Sequence, residues 1–268
     1  MKRITEWLLS LLCVAILISC STVAFTGRKR MLLYSNSEIA SLSTQSYYEF
    51  MSTSAPSTNM VTTSMIREVG NRLAKALDRY LAAKGESDLL DDINWEFYLV
   101  SSNQANAFCL PDGKVVFYEG IMPVLTTPDL IAVVMSHEMG HAIARHGNER
   151  MTQQALSNMV GAVTGMIIGQ KTSETGRAVF ETAYAIGSQY GYLLPFSRKH
   201  ELEADEIGLY IMAIAGYDIT QAPLLWAKIA QAKTTDAPEA LSPHPSDAKR
   251  MKNLQQLIEK ARKYSTSK

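Results

Sequence analysis

His137 and His141 stand four residues apart in VVMSHEMGHAIARHGNER, residues 133–150, with Glu138 directly after the first. An α-helix advances about 100° per residue, so the two imidazoles fall about 40° apart on one face and can share one ion. Neutral imidazole nitrogens suit Zn2+, and a catalytic zinc takes three protein ligands and keeps one position open to water. A carboxylate beside that position can remove a proton from the water and later return it to a leaving amine, the work expected of Glu138. Each letter of His-Glu-x-x-His thus has a mechanical reason, and the pattern demands a third ligand.

His146 is the nearest further histidine. Five residues past His141, it would point about 140° away on a continuous helix. The metzincin spacing would need glycine at 144 and histidine at 147, where this chain has Ala144 and Gly147. His146 is therefore expected at the helix C-terminus, where positive charge is favourable. A better partner lies in PFSRKHELEADEIGLYIMAIAGYD, residues 195–218, where Glu201 and Asp205 are four apart. On a helix both face one way, so Glu201 can bind the metal while Asp205 accepts a hydrogen bond from the outer nitrogen of a histidine ligand. Gly208 continues that face and permits a close helix approach. A run such as KHELEADE alone reads as a solvated surface; the upstream motif reverses that preference.

These residues need a core to hold them, and the composition supplies one. The chain has 268 residues, 47% hydrophobic and 19% charged, which describes a globular protein. A formal net charge of +0 offers no basic field, so no nucleic-acid partner is expected. The first half of the chain reads as helix over 36–84, split around Pro56, with Ile66, Val69, Leu73, Leu77 and Leu81 on one stripe that ends at Gly85. NWEFYLV (94–100), ANAFCL and KVVFYEG read as strands, the last two joined by the turn signature PDG, and a small antiparallel sheet follows. The active-site helix begins with Thr127 as cap and Pro128 in its first turn. Residues 155–169 read as a buried helix too short to span a membrane, and further helices fit 174–193, 198–214, 219–233 and 246–263.

The N-terminus, MKRITEWLLSLLCVAILISC, has a basic start and an apolar run shorter than a spanning helix needs, as a signal peptide does. LISC resembles the lipobox of bacterial lipoproteins, in which the cysteine carries lipid. Residues 1–19 are then a signal, Cys20 the lipidated N-terminus, 20–35 a tether and 36–268 a single domain. Cys13 would leave with the signal, so Cys109 has no disulfide partner within one mature chain. The absence of Asp at Ser21 or Thr22 resembles the outer-membrane sorting pattern, with the body on the periplasmic face.

SHEMGH followed by SRKHELEAD resembles metallopeptidase family forty-eight, the gluzincin group that includes the CAAX prenyl endopeptidase, the HtpX heat-shock protease and the Oma-type mitochondrial protease. The likeness extends from FTGRKRMLLYS through NAFCLPDGKVVFYEGI and AGYD to SPHPSDAKRM, nearly the whole mature chain. It implies one Zn2+ held by His137, His141 and Glu201, with Glu138 as base and Asp205 behind a ligand. It also implies an edge strand at Asn106, Ala107 and Phe108 for an extended substrate, although Phe108 reads equally well as core. His244 and Arg250, by the same resemblance, reach the scissile carbonyl; Pro245 equally suits His244 to a helix entry. The chain departs from many relatives in having PDG for Pro-Gly-Gly and Cys109 for alanine; a small buried thiol is the simpler reading of that cysteine.

The expected fold is α+β, mainly helical, with a small antiparallel sheet next to the active-site helix. The expected function is zinc-dependent cleavage of extended or misfolded protein segments in the cell envelope. A zinc-containing chaperone or assembly factor with little proteolysis is the alternative; it would be marked by loss of the base, and Glu138 is present.

Overall fold

A computed structural model describes residues 20–156, 198–232 and 248–265. The signal region, most of the apolar stretch 155–169, the helix expected at 174–193 and His244 lie outside the described residues.

Two helices precede the sheet. Helix α1 (Asn36–Thr53) starts with a reciprocal box between Ser35 and Glu38, which satisfies two backbone donors that a first turn leaves open. Helix α2 (Met60–Lys84) is capped by Asn59 and stops at Gly85, whose φ of 71° is a left-handed conformation that costs glycine little. Its predicted stripe is fully inside: Ile66, Leu73, Leu77 and Leu81 are 0% exposed. Truncating one such leucine to alanine costs about 2–5 kcal/mol.

The sheet contains β3 (Glu96–Val100), β4 (Ala107–Cys109) and β5 (Lys114–Tyr118) in the order β3-β5-β4. It is mixed, not wholly antiparallel: β4 pairs antiparallel with β5, but β3 runs parallel to β5. The reason lies in β5, KVVFY, every residue of which is buried. A strand buried on both faces belongs in the middle, so the chain leaves β3, crosses to the far edge for β4 and returns through the centre. One sheet face, with Phe97, Leu99, Ala107, Val115 and Phe117, packs into the main helical core. The other, with Val100, Phe108, Val116 and Tyr118, is covered by Ile39 and Tyr47 of α1.

Helix α3 (Pro128–Ile143) is capped by Thr127, whose hydroxyl accepts from the Leu130 N–H, and all residues from Leu130 to Ile143 are buried. A helix apolar nearly all round belongs in a core. Its main partner is α4 (Arg198–Ile214), with α5 (Gln221–Ala232) and α6 (Ala248–Ala261) packed outside. Close approach is made possible by glycine: a Cβ at Gly140 would stand 2.9 Å from the Ala204 carbonyl oxygen.

Two expectations need correction. The stretch read as a tether contains a hairpin, β1 (Cys20–Thr22) with β2 (Lys29–Met31), docked on the domain through buried Val23 and Arg30. Its short strands lack a sustained period, and long-range contacts hold it. In addition, the active-site helix does not continue to His146. It ends at Ile143, and Arg145 takes a φ of 53° that redirects the chain into a new helical stretch, residues 146–156.

Among the described residues, no helix is long and apolar enough to cross a membrane.

Candidate metal centre

His137 and His141 project from the middle and end of α3, and Glu201 from the first turn of α4. The Nε2 atoms of the histidines are 3.2 Å apart. Glu201 Oε2 lies 3.5 Å from His137 Nε2, and Glu201 Oε1 lies 3.4 Å from His141 Nε2. Tetrahedral ligands at zinc bond lengths of about 2.0–2.1 Å are separated by about 3.3–3.4 Å, so this triangle has the dimensions of three corners of a zinc tetrahedron. All three side chains are buried.

The tautomers agree with this geometry. Asp205 Oδ1 lies 2.9 Å from His137 Nδ1. Asp205 titrates below the usual range: burial opposes its charge, but Arg250 and His137 outweigh burial. An ionised carboxylate only accepts, so His137 donates from Nδ1 and its lone pair falls on Nε2, toward Glu201. Burial also works against charge on His137, yet Asp205 and Glu201 raise its pKa to about 9, so without a metal ion Nε2 holds a proton that a bound cation would replace. Burial pushes His141 well below its normal value. The carboxylates favour a positive charge here, and the nitrogen–nitrogen–oxygen donor set fits Zn2+.

Arg250 has a different place from the one expected. Its Nε donates to Asp205 Oδ2 at 2.8 Å and its Nη2 to Asp205 Oδ1 at 2.7 Å, while Nη1 lies 3.0 Å from Glu201 Oε2. The guanidinium also lies 4.0 Å over the Trp226 ring, which itself meets His137 edge-on. Arg250 thus braces two carboxylates from behind. The packing of α6 on α4 brings it there, and a buried acidic pair without a cation would be costly.

Glu138 is 3% exposed, on the helix between the histidines. Burial raises the Cys109 thiol on β4 well above its normal range, and the Glu138 charge adds to that rise. A cleft lined by Ile39, Cys109, Pro111, His141, Arg145 and Asn148 opens on that side.

Asn106 directly precedes β4, and its carbonyl accepts from the Tyr118 N–H. Phe108 pairs with Val116, and its ring sits edge-on to Phe50 on the α1 side of the sheet. Its side chain is core. By the alternation of an antiparallel pair, the outward backbone groups belong to Ala107 and Cys109, on a strand that is an edge among the described residues.

His146 was missed as a neighbour of the centre. It does not cap α3; the buried Arg30 guanidinium donates to the Ala144 carbonyl instead. His146 Nδ1 lies 2.9 Å from His141 Nδ1, and its Nε2 lies 2.9 Å from Glu203 Oε2. The helical-wheel argument failed because the helix turns away before His146. The signal available in the sequence was a third acidic residue, Glu203, on the same short run as Glu201 and Asp205.

Comparison with known proteins agrees with the geometry. The mitochondrial metalloendopeptidase OMA1 of Schizosaccharomyces pombe is 34% identical over 191 residues, 70% of this chain and 53% of that protein. The Arabidopsis thaliana protein of the same name is 37% identical over 167 residues, 62% of this chain and 32% of its own. The beta-barrel assembly-enhancing protease of Escherichia coli is 28% identical over 162 residues, 59% of this chain and 33% of its own. The chain spans about half or less of the length of these relatives. The model of peptidase family M48 matches residues 62–258, a span that takes in both helices of the centre. With that match laid over two histidines and a glutamate that meet in space, the chain belongs to peptidase family M48.

Proposed function

We propose that the protein is a zinc-dependent endopeptidase that cleaves extended or misfolded protein segments. The observation that carries this reading is the buried triangle of His137, His141 and Glu201, with donor atoms all within 4.8 Å of one another. Zinc held there by His137, His141 and Glu201 would supply Lewis-acid chemistry to the scissile carbonyl and the attacking water. Glu138 takes a proton from that water and passes it to the leaving nitrogen. Asp205 keeps the His137 lone pair on Nε2, and Arg250 holds Asp205 and Glu201 in place. The outward edge of β4, at Ala107 and Cys109, pairs with an extended peptide backbone, giving affinity with little demand on side-chain sequence. The position of Cys109 on both that edge and the cleft wall supports this path.

The resemblance of LISC to a lipobox supports a lipid at Cys20 and a place in the bacterial cell envelope, on the periplasmic face of the outer membrane. Envelope quality control is the role we assign. His244, outside the described residues, remains assigned to the reaction by resemblance alone; the Arg250 contacts favour support of the ligands over contact with substrate.

The test is cleavage of an unfolded casein-like substrate together with metal analysis. Glu138→Gln is expected to keep one zinc per chain and lose turnover by at least about 100-fold, the scale of general acid–base catalysis. Glu201→Ala is expected to lose zinc. Turnover retained in Glu138→Gln would remove the base, and equal zinc in Glu201→Ala would remove the third ligand. A zinc-loaded wild type without any proteolysis would favour the chaperone reading.

A further inference from the structure

Arg28 lies in the turn of the N-terminal hairpin, yet its guanidinium bridges two carboxylates that border the metal centre. Nε donates to Glu203 Oε2 at 2.7 Å, while Nη1 and Nη2 donate to Glu149 Oε1 and Oε2 at 2.8 and 2.6 Å. The Thr26 hydroxyl donates to Glu203 Oε1 at 2.6 Å. Glu203 in turn meets His146, and His146 meets His141.

With His146 as a neutral ring, the contacts along this chain form one consistent set of donors and acceptors. The Glu203 oxygens already accept from Thr26 and Arg28, so Oε2 accepts from His146 as well and the His146 proton sits on Nε2. The neutral ring then accepts at Nδ1, and His141 must donate from its own Nδ1. That places the His141 lone pair on Nε2, the atom that faces His137 and Glu201. The arrangement repeats on His141 what Arg250 and Asp205 do on His137, with the support coming from the opposite end of the chain.

The hairpin is itself firmly held. Phe25, at a φ of 67°, packs against the rings of Tyr80, Tyr210 and Tyr264 with centroids 5.9, 6.2 and 6.1 Å away. Arg30 grips the end of α3, and the Leu33 N–H donates to the Thr152 hydroxyl.

We propose that the hairpin of residues 20–31 is an outer support of the metal centre: Thr26 and Arg28 hold Glu203, Glu203 holds His146, and His146 keeps His141 in its metal-binding tautomer. The inference rests on His141 being a ligand, as proposed above. His146, Glu203, Arg28 and Thr26 are positioning residues, and they tie the segment that begins at Cys20 to the centre.

The test uses the full chain, with zinc affinity measured by competition against a chromophoric chelator and ligand geometry read from the visible spectrum of the Co2+-substituted protein. His146→Leu is expected to weaken zinc binding by about 10–100-fold and to shift the Co2+ spectrum. His146→Gln, whose amide can accept from His141 and donate to Glu203, is expected to recover most of that loss. Thr26→Val strands no charge, so it keeps the test readable if the histidine variant fails to fold; it is expected to weaken zinc severalfold. Wild-type affinity and spectrum in both His146→Leu and Thr26→Val would overturn the proposal. So would His146→Gln behaving as His146→Leu does, because the ring would then serve packing only. Glu201→Ala run alongside separates the two levels: if it alone loses zinc, the ligand set stands and the hairpin support falls, whereas zinc retained in it removes the ligand set itself.

Discussion

Gly208 lies against the backbone of His137: a Cβ there would stand 3.0 Å from the His137 nitrogen and 3.2 Å from its Cα. The atoms in the way are backbone atoms of the helix that carries the first metal-binding histidine, so they cannot rotate aside. Gly208→Ala is therefore expected to push α4 off α3 and destabilise the protein by about 1–3 kcal/mol, the usual cost of overpacking. Because α4 also carries Glu201, zinc affinity falls with it. Urea unfolding and chelator competition check the two effects, and an unchanged value in both would mean that the helices tolerate a wider spacing.

Asp205 joins His137 to Arg250, and all three are buried. Asp205→Ala removes the carboxylate that Arg250 Nε and Nη2 meet and the partner of His137 Nδ1. Breaking a buried ion pair from one side costs about 3–5 kcal/mol, and loss of a partner behind a ligand costs about 10–100-fold in metal affinity. Asp205→Asn keeps an acceptor but removes the charge, so its zinc affinity is expected between wild type and Asp205→Ala. The same chelator competition ranks the three proteins.

Acid should weaken the hairpin's attachment. Burial opposes ionisation of Glu203, but His146, Thr26 and Arg28 lower its pKa from 4.5 to about 2; Glu149 is held below its usual range by His200 and Arg28 against the same penalty. For a carboxylate whose folded pKa is depressed, the stabilisation is full above the unfolded value and is lost as pH falls toward the folded one. The Glu203 share is lost between about pH 4.5 and about pH 2. His146, lowered to about 4 by burial, acts with the same sign between its unfolded value of 6.5 and 4. Urea midpoints of the metal-free protein measured across this range should fall more steeply for wild type than for Glu203→Gln.

Much of the molecule was legible because period and caps report local structure. The α2 stripe, the Gly85 stop, the Thr127 cap and the pairing of ANAFCL with KVVFYEG all lie where short-range rules placed them. The mistakes share another cause. The parallel pairing of β3 with β5, the docked hairpin and the turn at Arg145 depend on contacts between distant segments, and a local pattern carries no such information. Arg250 went the same way: resemblance alone assigned it to the scissile carbonyl, and the packing of α6 against α4 sets it behind Asp205 and Glu201.

The sequence by itself determined that two histidines share a helix face and that a second helix offers paired carboxylates, because helical spacing is a property of the backbone. Tertiary structure alone decided that Glu201 closes the triangle at 3.4–3.5 Å and that Arg250 and His146 stand behind it. Those distances arise from the glycine-mediated contact of α3 with α4 and from the hairpin clasped over the end of α3, contacts that form only when remote segments bury their surfaces together.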